Sequence, residues 1–97
     1  MTKAIIQNRE ALIREACNDL ANLLVAKNSA YGDSILSPIN IISDGSALEK
    51  LEVRIDDKLS RIIRGDLEAK KEVKEETDLD LAGYFLFKYI LSTKKLD

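Results

Sequence analysis

Apolar residues recur every three or four positions through the first third of the chain, at Ile5, Ile6, Leu12, Ile13, Ala16, Leu20, Leu23 and Leu24. Arg9, Glu10, Arg14, Glu15, Asn18 and Asp19 fill the other faces. That period marks one face of an amphipathic helix and predicts one over residues 3 to 27. Asn, Ser and Gly in Lys27-Asn28-Ser29-Ala30-Tyr31-Gly32-Asp33 are its stop signals. Ser37-Pro38 reads as an N-cap followed by Pro at the first helical position, predicting a short helix through about Ile42. Ser43-Asp44-Gly45 closes that helix, and Ser46 with Glu49 three residues later forms a capping box for the next. This second long helix should run from Ala47 to Arg64, with Gly65 at C′ and Leu48, Leu51, Ile55, Leu59 and Ile62 as its buried stripe.

From Leu79 to Leu91 the pattern changes. Only Asp80 and Lys88 carry charge, and apolar side chains fall on every side of a helical wheel. A helix apolar all round is buried in a core or a subunit interface. These residues rise roughly 20 Å, short of the roughly 20 residues that cross a bilayer, so the stretch reads as the central helix of a soluble protein. The charge-dense segment from Asp66 to Glu76 reads as a mobile link that becomes the helix's solvated first turns. Its acidic residues suit the positive end of the dipole, and Lys94 and Lys95 suit the other end. The expected architecture is all-α: three long helices and one short connecting helix in a bundle, forming a single domain over residues 1–97.

Composition adjusts this picture in a few places. A chain of 97 residues hides only about 60% of its unfolded surface, so oligomerisation would help it. Apolar content of 45% beside 33% charged residues is that of a globular chain, and a net charge of −2 gives no pull toward duplex DNA or an anionic membrane. There is no histidine, which removes His-based catalysis and His-ligated zinc. Cys17, the only cysteine, falls in an apolar stripe and is expected in the core. The first ten residues hold no apolar run of signal-peptide length, so a cytoplasmic location is expected.

Three polar sets interrupt the amphipathic pattern. The first is the turn Lys27, Asn28, Tyr31, Gly32, Asp33, Ser34. The second is the helix edge Arg54, Asp57, Lys58, Arg61, and the third is Glu76, Asp80, Tyr84. Packing the three long helices together would bring the sets into one cleft. Cations for phosphate oxygens, an aromatic ring for a base and carboxylates able to hold Mg²⁺ are the ingredients of a nucleotide site. Asp80 is the pivotal residue, because a carboxylate in an oily surface neutralises or finds a partner. The plainer alternative is a salt bridge from Asp80 to Lys58 or Arg61 that only sets helix register.

Three motifs, Lys27-Asn28-x-x-Tyr31-Gly32-Asp33-Ser34, Val53-Arg54-Ile55-x-Asp57-Lys58-Leu59-x-Arg61-Ile62 and Glu76-Thr77-x-x-Asp80-Leu81-Ala82-x-Tyr84, stand in order over residues 20 to 91. In this the chain resembles the nucleotide modification associated domain 1 family, whose members occur largely in phages and prophages. That family is in turn similar to the all-α NTP pyrophosphohydrolases of the MazG and dimeric dUTPase group. The resemblance implies that Asp57, Glu76 and Asp80 are catalytic, metal-side carboxylates for Mg²⁺. It implies phosphate contacts at Arg54, Lys58 and Arg61 and nucleotide-side residues at Lys27, Asn28 and Tyr31, with Tyr84 beside them. Two departures stand out. Ala30 occupies a position that is usually acidic in the family. The pyrophosphohydrolase pattern has Glu-x-x-Glu on one helix and Glu-x-x-Asp on another, whereas here Glu49-x-x-Glu52 lies one to two turns before Asp56 and Asp57 and the last helix offers Thr77-x-x-Asp80 with Glu76 four residues before Asp80.

Three functions follow as expectations. One is a Mg²⁺-dependent NTP pyrophosphohydrolase, in which the metal lowers the pKa of an attacking water. Another is a phage anti-defence protein that sequesters a nucleotide or cyclic-nucleotide messenger in the host cytoplasm without turnover. The last is a helical interaction module whose polar edges only specify packing. Each is compatible with a homo-oligomer, a dimer or larger, possessing no membrane segment.

Overall fold

The computed structural model describes residues 3–64 and 71–94, and the side chains of 8–64 and 76–94. It contains three helices, α1 (Lys3–Ala30), α2 (Ala47–Ile63) and α3 (Lys71–Thr93), with no strand among the described residues. Among the described residues no helix is long and apolar enough to cross a membrane. Gly65, residues 66–70 of the expected Asp66–Glu76 link and Lys95 lie outside the described residues, and from Lys71 on that link is the start of α3.

α1 runs three residues past its expected end because the chain completes a Schellman cap. The Asp33 N–H donates to the Asn28 carbonyl at 3.0 Å and the Gly32 N–H to the Ser29 carbonyl at 3.4 Å, with Gly32 at φ +64°. Asp33 follows at φ +62°, a left-handed position that Asp tolerates better than most residues, and its carboxylate accepts from the Asn28 side-chain amide at 3.1 Å. Part of the Asn28–Asp33 motif is thus helix termination.

The short helix expected from Ser37 to Ile42 is absent. Residues 31–36 are turns and 38–40 irregular. The Ser37 N–H donates back to the Asp33 carbonyl at 2.9 Å, so Ser37 closes the preceding turn instead of opening a helix. Ile39, Ile41 and Ile42 stay exposed, leaving such a helix no apolar face to bury. The Asn40 side-chain amide donates to the Gly45 carbonyl at 3.2 Å and ties the loop before α2.

α2 begins as expected. Ser46 Oγ accepts from the Glu49 N–H at 3.1 Å, and Glu49 Oε1 accepts from the Ser46 N–H at 3.2 Å, a complete capping box. Leu51 (1% exposed) and Ile55 of α2 and Phe87 of α3 are the buried centre. Leu24 of α1, Ile35 and Leu36 of the turn, and Leu81, Tyr84, Ile90 and Leu91 of α3 pack around them. α2 and α3 form the main pair, further linked by Lys88 Nζ to Glu52 Oε2 at 3.3 Å, while α1 joins through its C-terminal part, where Leu24 meets Gly83.

The core is smaller than the pattern promised. Leu59 and Ile62 of the expected α2 stripe are exposed, as are Leu79, Phe85, Leu86 and Tyr89 on α3. Cys17 is exposed too, correcting its expected core position, because among the described residues α1 meets the rest of the fold only toward its C-terminal end. Three helices that share only one seam cannot cover every apolar face they carry.

Candidate functional site

A cavity of about 350 Å³ opens between the end of α1, the following turn, α2 and α3. Lys27, Asn28, Tyr31 and Ser34 line it from α1 and the turn, Arg54 from α2, and Glu76, Asp80 and Tyr84 from α3. Members of all three polar sets therefore share one hollow. Its apolar wall is Leu23, Leu24, Ile35, Leu79, Gly83 and Phe87, so the cavity borders the small core directly. Ile35, Leu79 and Phe87 were not among the site residues expected from sequence. The signal for Ile35 was an apolar pair directly after the Gly32 turn, and Phe87 shares a helix face with Asp80 and Tyr84.

Asp80 is the electrostatic centre. Its side chain is 18% exposed, and Oδ2 accepts from Lys58 Nζ at 2.9 Å, with the Lys58 side chain 17% exposed. Lys27 Nζ stands 3.7 Å from Oδ1 and is 45% exposed. The first pair is short and sheltered and ties α2 to α3. The second is long and open, and Lys27 also lines the cavity.

The α2 edge does not act as one unit. At about 100° per residue, Lys58 comes round toward the Leu51–Ile55 stripe and Asp57 is carried away from it. Arg61 Nη2 meets Asp57 Oδ2 at 3.3 Å, both side chains exposed, in an i,i+4 pair that does not line the cavity. Of the four charged edge residues, Arg54 lines the pocket, Lys58 braces it through Asp80, and Asp57 and Arg61 face elsewhere.

This bears on the implied metal. Asp57 is turned to Arg61, Asp80 is held by two ammonium groups, and Glu76 lines the pocket. Among the described residues no three acidic or thiol side chains gather into a group that could hold a metal ion. A Mg²⁺ site needs several oxygens converging on one point, with cations kept away. The arrangement of Asp57, Glu76 and Asp80 does not fit that requirement.

No protein-family model, curated protein or solved structure matches the chain. The family resemblance therefore rests on the three motifs, and the pocket's geometry carries the functional argument.

Proposed function

We propose that this chain binds a nucleotide or nucleotide-derived small molecule in the pocket between α1 and α3 and releases it unchanged. The observation that carries this reading is the meeting of Arg54, Lys27, Tyr31 and Asp80 in one hollow of about 350 Å³, within the range of small-molecule pockets. Arg54 offers a planar fork to phosphate oxygens and Lys27 a mobile point charge. Tyr31 and Tyr84 supply ring faces for a base. Asp80 and Glu76 accept hydrogen bonds from ribose hydroxyls or an exocyclic amine.

Hydrolysis would require the carboxylates to gather around Mg²⁺, so the reading stops at binding. In a phage or prophage setting, which the motif resemblance supports, such a protein would act in the host cytoplasm by withholding a signalling nucleotide. The reading includes a homo-oligomer, a dimer or larger.

The test is to heat the purified chain and identify released small molecules by mass spectrometry. Calorimetry then follows with nucleoside mono-, di- and triphosphates, ADP-ribose and cyclic dinucleotides, with and without Mg²⁺. At least one should bind and be recovered intact. A chain that binds none of them loses this function, and one that converts its ligand is an enzyme.

The sheltered Lys58–Asp80 pair favours a second reading, a helical interaction module in which the polar residues only set register. In that case Arg54→Ala and Lys27→Ala alter melting or association alone.

A further inference from the structure

The charges that meet in the pocket come close to cancelling. Among the described residues its wall holds two cations, Lys27 and Arg54, and two carboxylates, Glu76 and Asp80. Lys58 stands behind Asp80 and not in the wall, with Nζ 2.9 Å from Asp80 Oδ2, so its charge is spent on that carboxylate. Lys27 is shared as well, since its Nζ lies 3.7 Å from Asp80 Oδ1. Arg61 and Lys88, further along α2 and α3, pair with Asp57 and Glu52 and do not line the cavity.

Once Lys58 is set against Asp80, the wall has two cations facing the one carboxylate of Glu76, an excess of one positive charge. A phosphate monoester carries about −1.5 to −2 charge near pH 7 and uses that excess up. Each further phosphate brings negative charge for which the wall has no cation, and like charges brought together are a strong means of rejecting a ligand. Asp80, with a side chain 18% exposed, is sheltered from the water and salt that would screen the repulsion, whereas Glu76 is exposed. Size points the same way. A cavity of about 350 Å³ stands near the small end of ligand pockets, which run from about 300 to 1,000 Å³.

We infer that the pocket takes a nucleoside carrying a single phosphate group, open or cyclic, and that Asp80 is the residue that excludes longer phosphate chains. Asp80 does so by holding Lys58 out of the pocket, drawing on Lys27 and keeping a sheltered negative charge in the wall. Lys58 is a positioning residue behind it, offsetting enough of that charge for one phosphate to enter. The inference rests on the nucleotide reading above and adds to it the number of phosphates.

Calorimetry on the full chain tests it, with the mono-, cyclic mono-, di- and triphosphate of each common nucleoside in EDTA. For the base that binds tightest, affinity should fall about tenfold or more from monophosphate to triphosphate. Asp80→Asn should bring that ratio to about one or reverse it, because Lys58 and Lys27 are released toward the ligand. Lys58→Met should widen it, because Asp80 then stands without its counter-charge. Loosened packing alone would weaken the whole series alike, so opposite shifts of the ratio in the two variants separate charge selection from bracing. Circular dichroism checks their folding, and the native ratio together with whichever variant folds decides. A native chain that holds the triphosphate as tightly as the monophosphate overturns the inference and leaves the nucleotide reading standing, as does an Asp80→Asn ratio equal to the native one. A chain that binds no member of the series overturns both.

Discussion

Gly83 of α3 lies so close to Leu24 of α1 that a Cβ added to the glycine would stand 2.8 Å from Leu24 Cδ2. This is where α1 is seated against the α2–α3 pair and where one wall of the pocket is formed. Leucine at position 83 should push α1 away. Overpacking costs about 1–3 kcal/mol and the gain in helix propensity offsets about 1 kcal/mol. Urea denaturation of Gly83→Leu should show a net loss of up to about 2 kcal/mol together with loss of ligand binding. Gly83→Ala should stay within about 1 kcal/mol of the native chain, since a Leu methyl at the end of a flexible side chain can yield.

The Lys58–Asp80 pair is mostly sheltered, and removing one partner strands the other. A double-mutant cycle with Lys58→Met and Asp80→Asn should give a coupling of about 1–2 kcal/mol. The same cycle on the exposed Arg61–Asp57 pair should give less than about 0.5 kcal/mol. Equal couplings would remove the distinction drawn between the two pairs.

Arg54 and Lys27 face the cavity, whereas Arg61 is spent on Asp57 outside it. Arg54→Ala and Lys27→Ala should each weaken nucleotide binding about tenfold or more, that is by about 1.4 kcal/mol, with little change in melting. Arg61→Ala should leave affinity unchanged. Isothermal calorimetry against the tightest nucleotide of the panel makes the comparison, and an Arg61→Ala effect as large as that of Arg54→Ala would contradict the site.

With so few side chains fully buried, each matters. Leu51→Ala should cost about 2–5 kcal/mol, enough to unfold much of a small domain at ambient temperature. Ser46→Ala removes the N-cap of α2 and should cost about 1 kcal/mol. Thermal melts read both, and a larger effect at Ser46 than at Leu51 would place stability in the caps rather than the core.

Local chemistry was largely legible along the chain. Ser46 and Glu49 announced the start of α2, because the capping box involves groups only three residues apart. Gly32 announced the end of α1, because only the positions around it decide whether a left-handed cap forms. Ser37-Pro38 misled for the same local reason. It has the form of a helix start, but its N–H was already committed to Asp33, and the isoleucines beyond it had no surface to cover.

The sequence by itself determined three helices, the N-cap of α2, the glycine that ends α1 and the polar residue types gathered at the pocket, because periodicity and capping are properties of neighbours in the chain. Only the tertiary structure decided that Arg54 and Lys27 would share a pocket while Asp57 and Arg61 paired outside it. It also decided that Lys58 would hold Asp80 and that much of the α1 and α3 apolar surface would stand uncovered within one chain. Those outcomes depend on how far each helix is rotated about its axis and on how much of its length meets another helix. Both are set by packing between residues far apart in the chain, such as Gly83 against Leu24 and Leu51 beside Phe87, which no local pattern encodes.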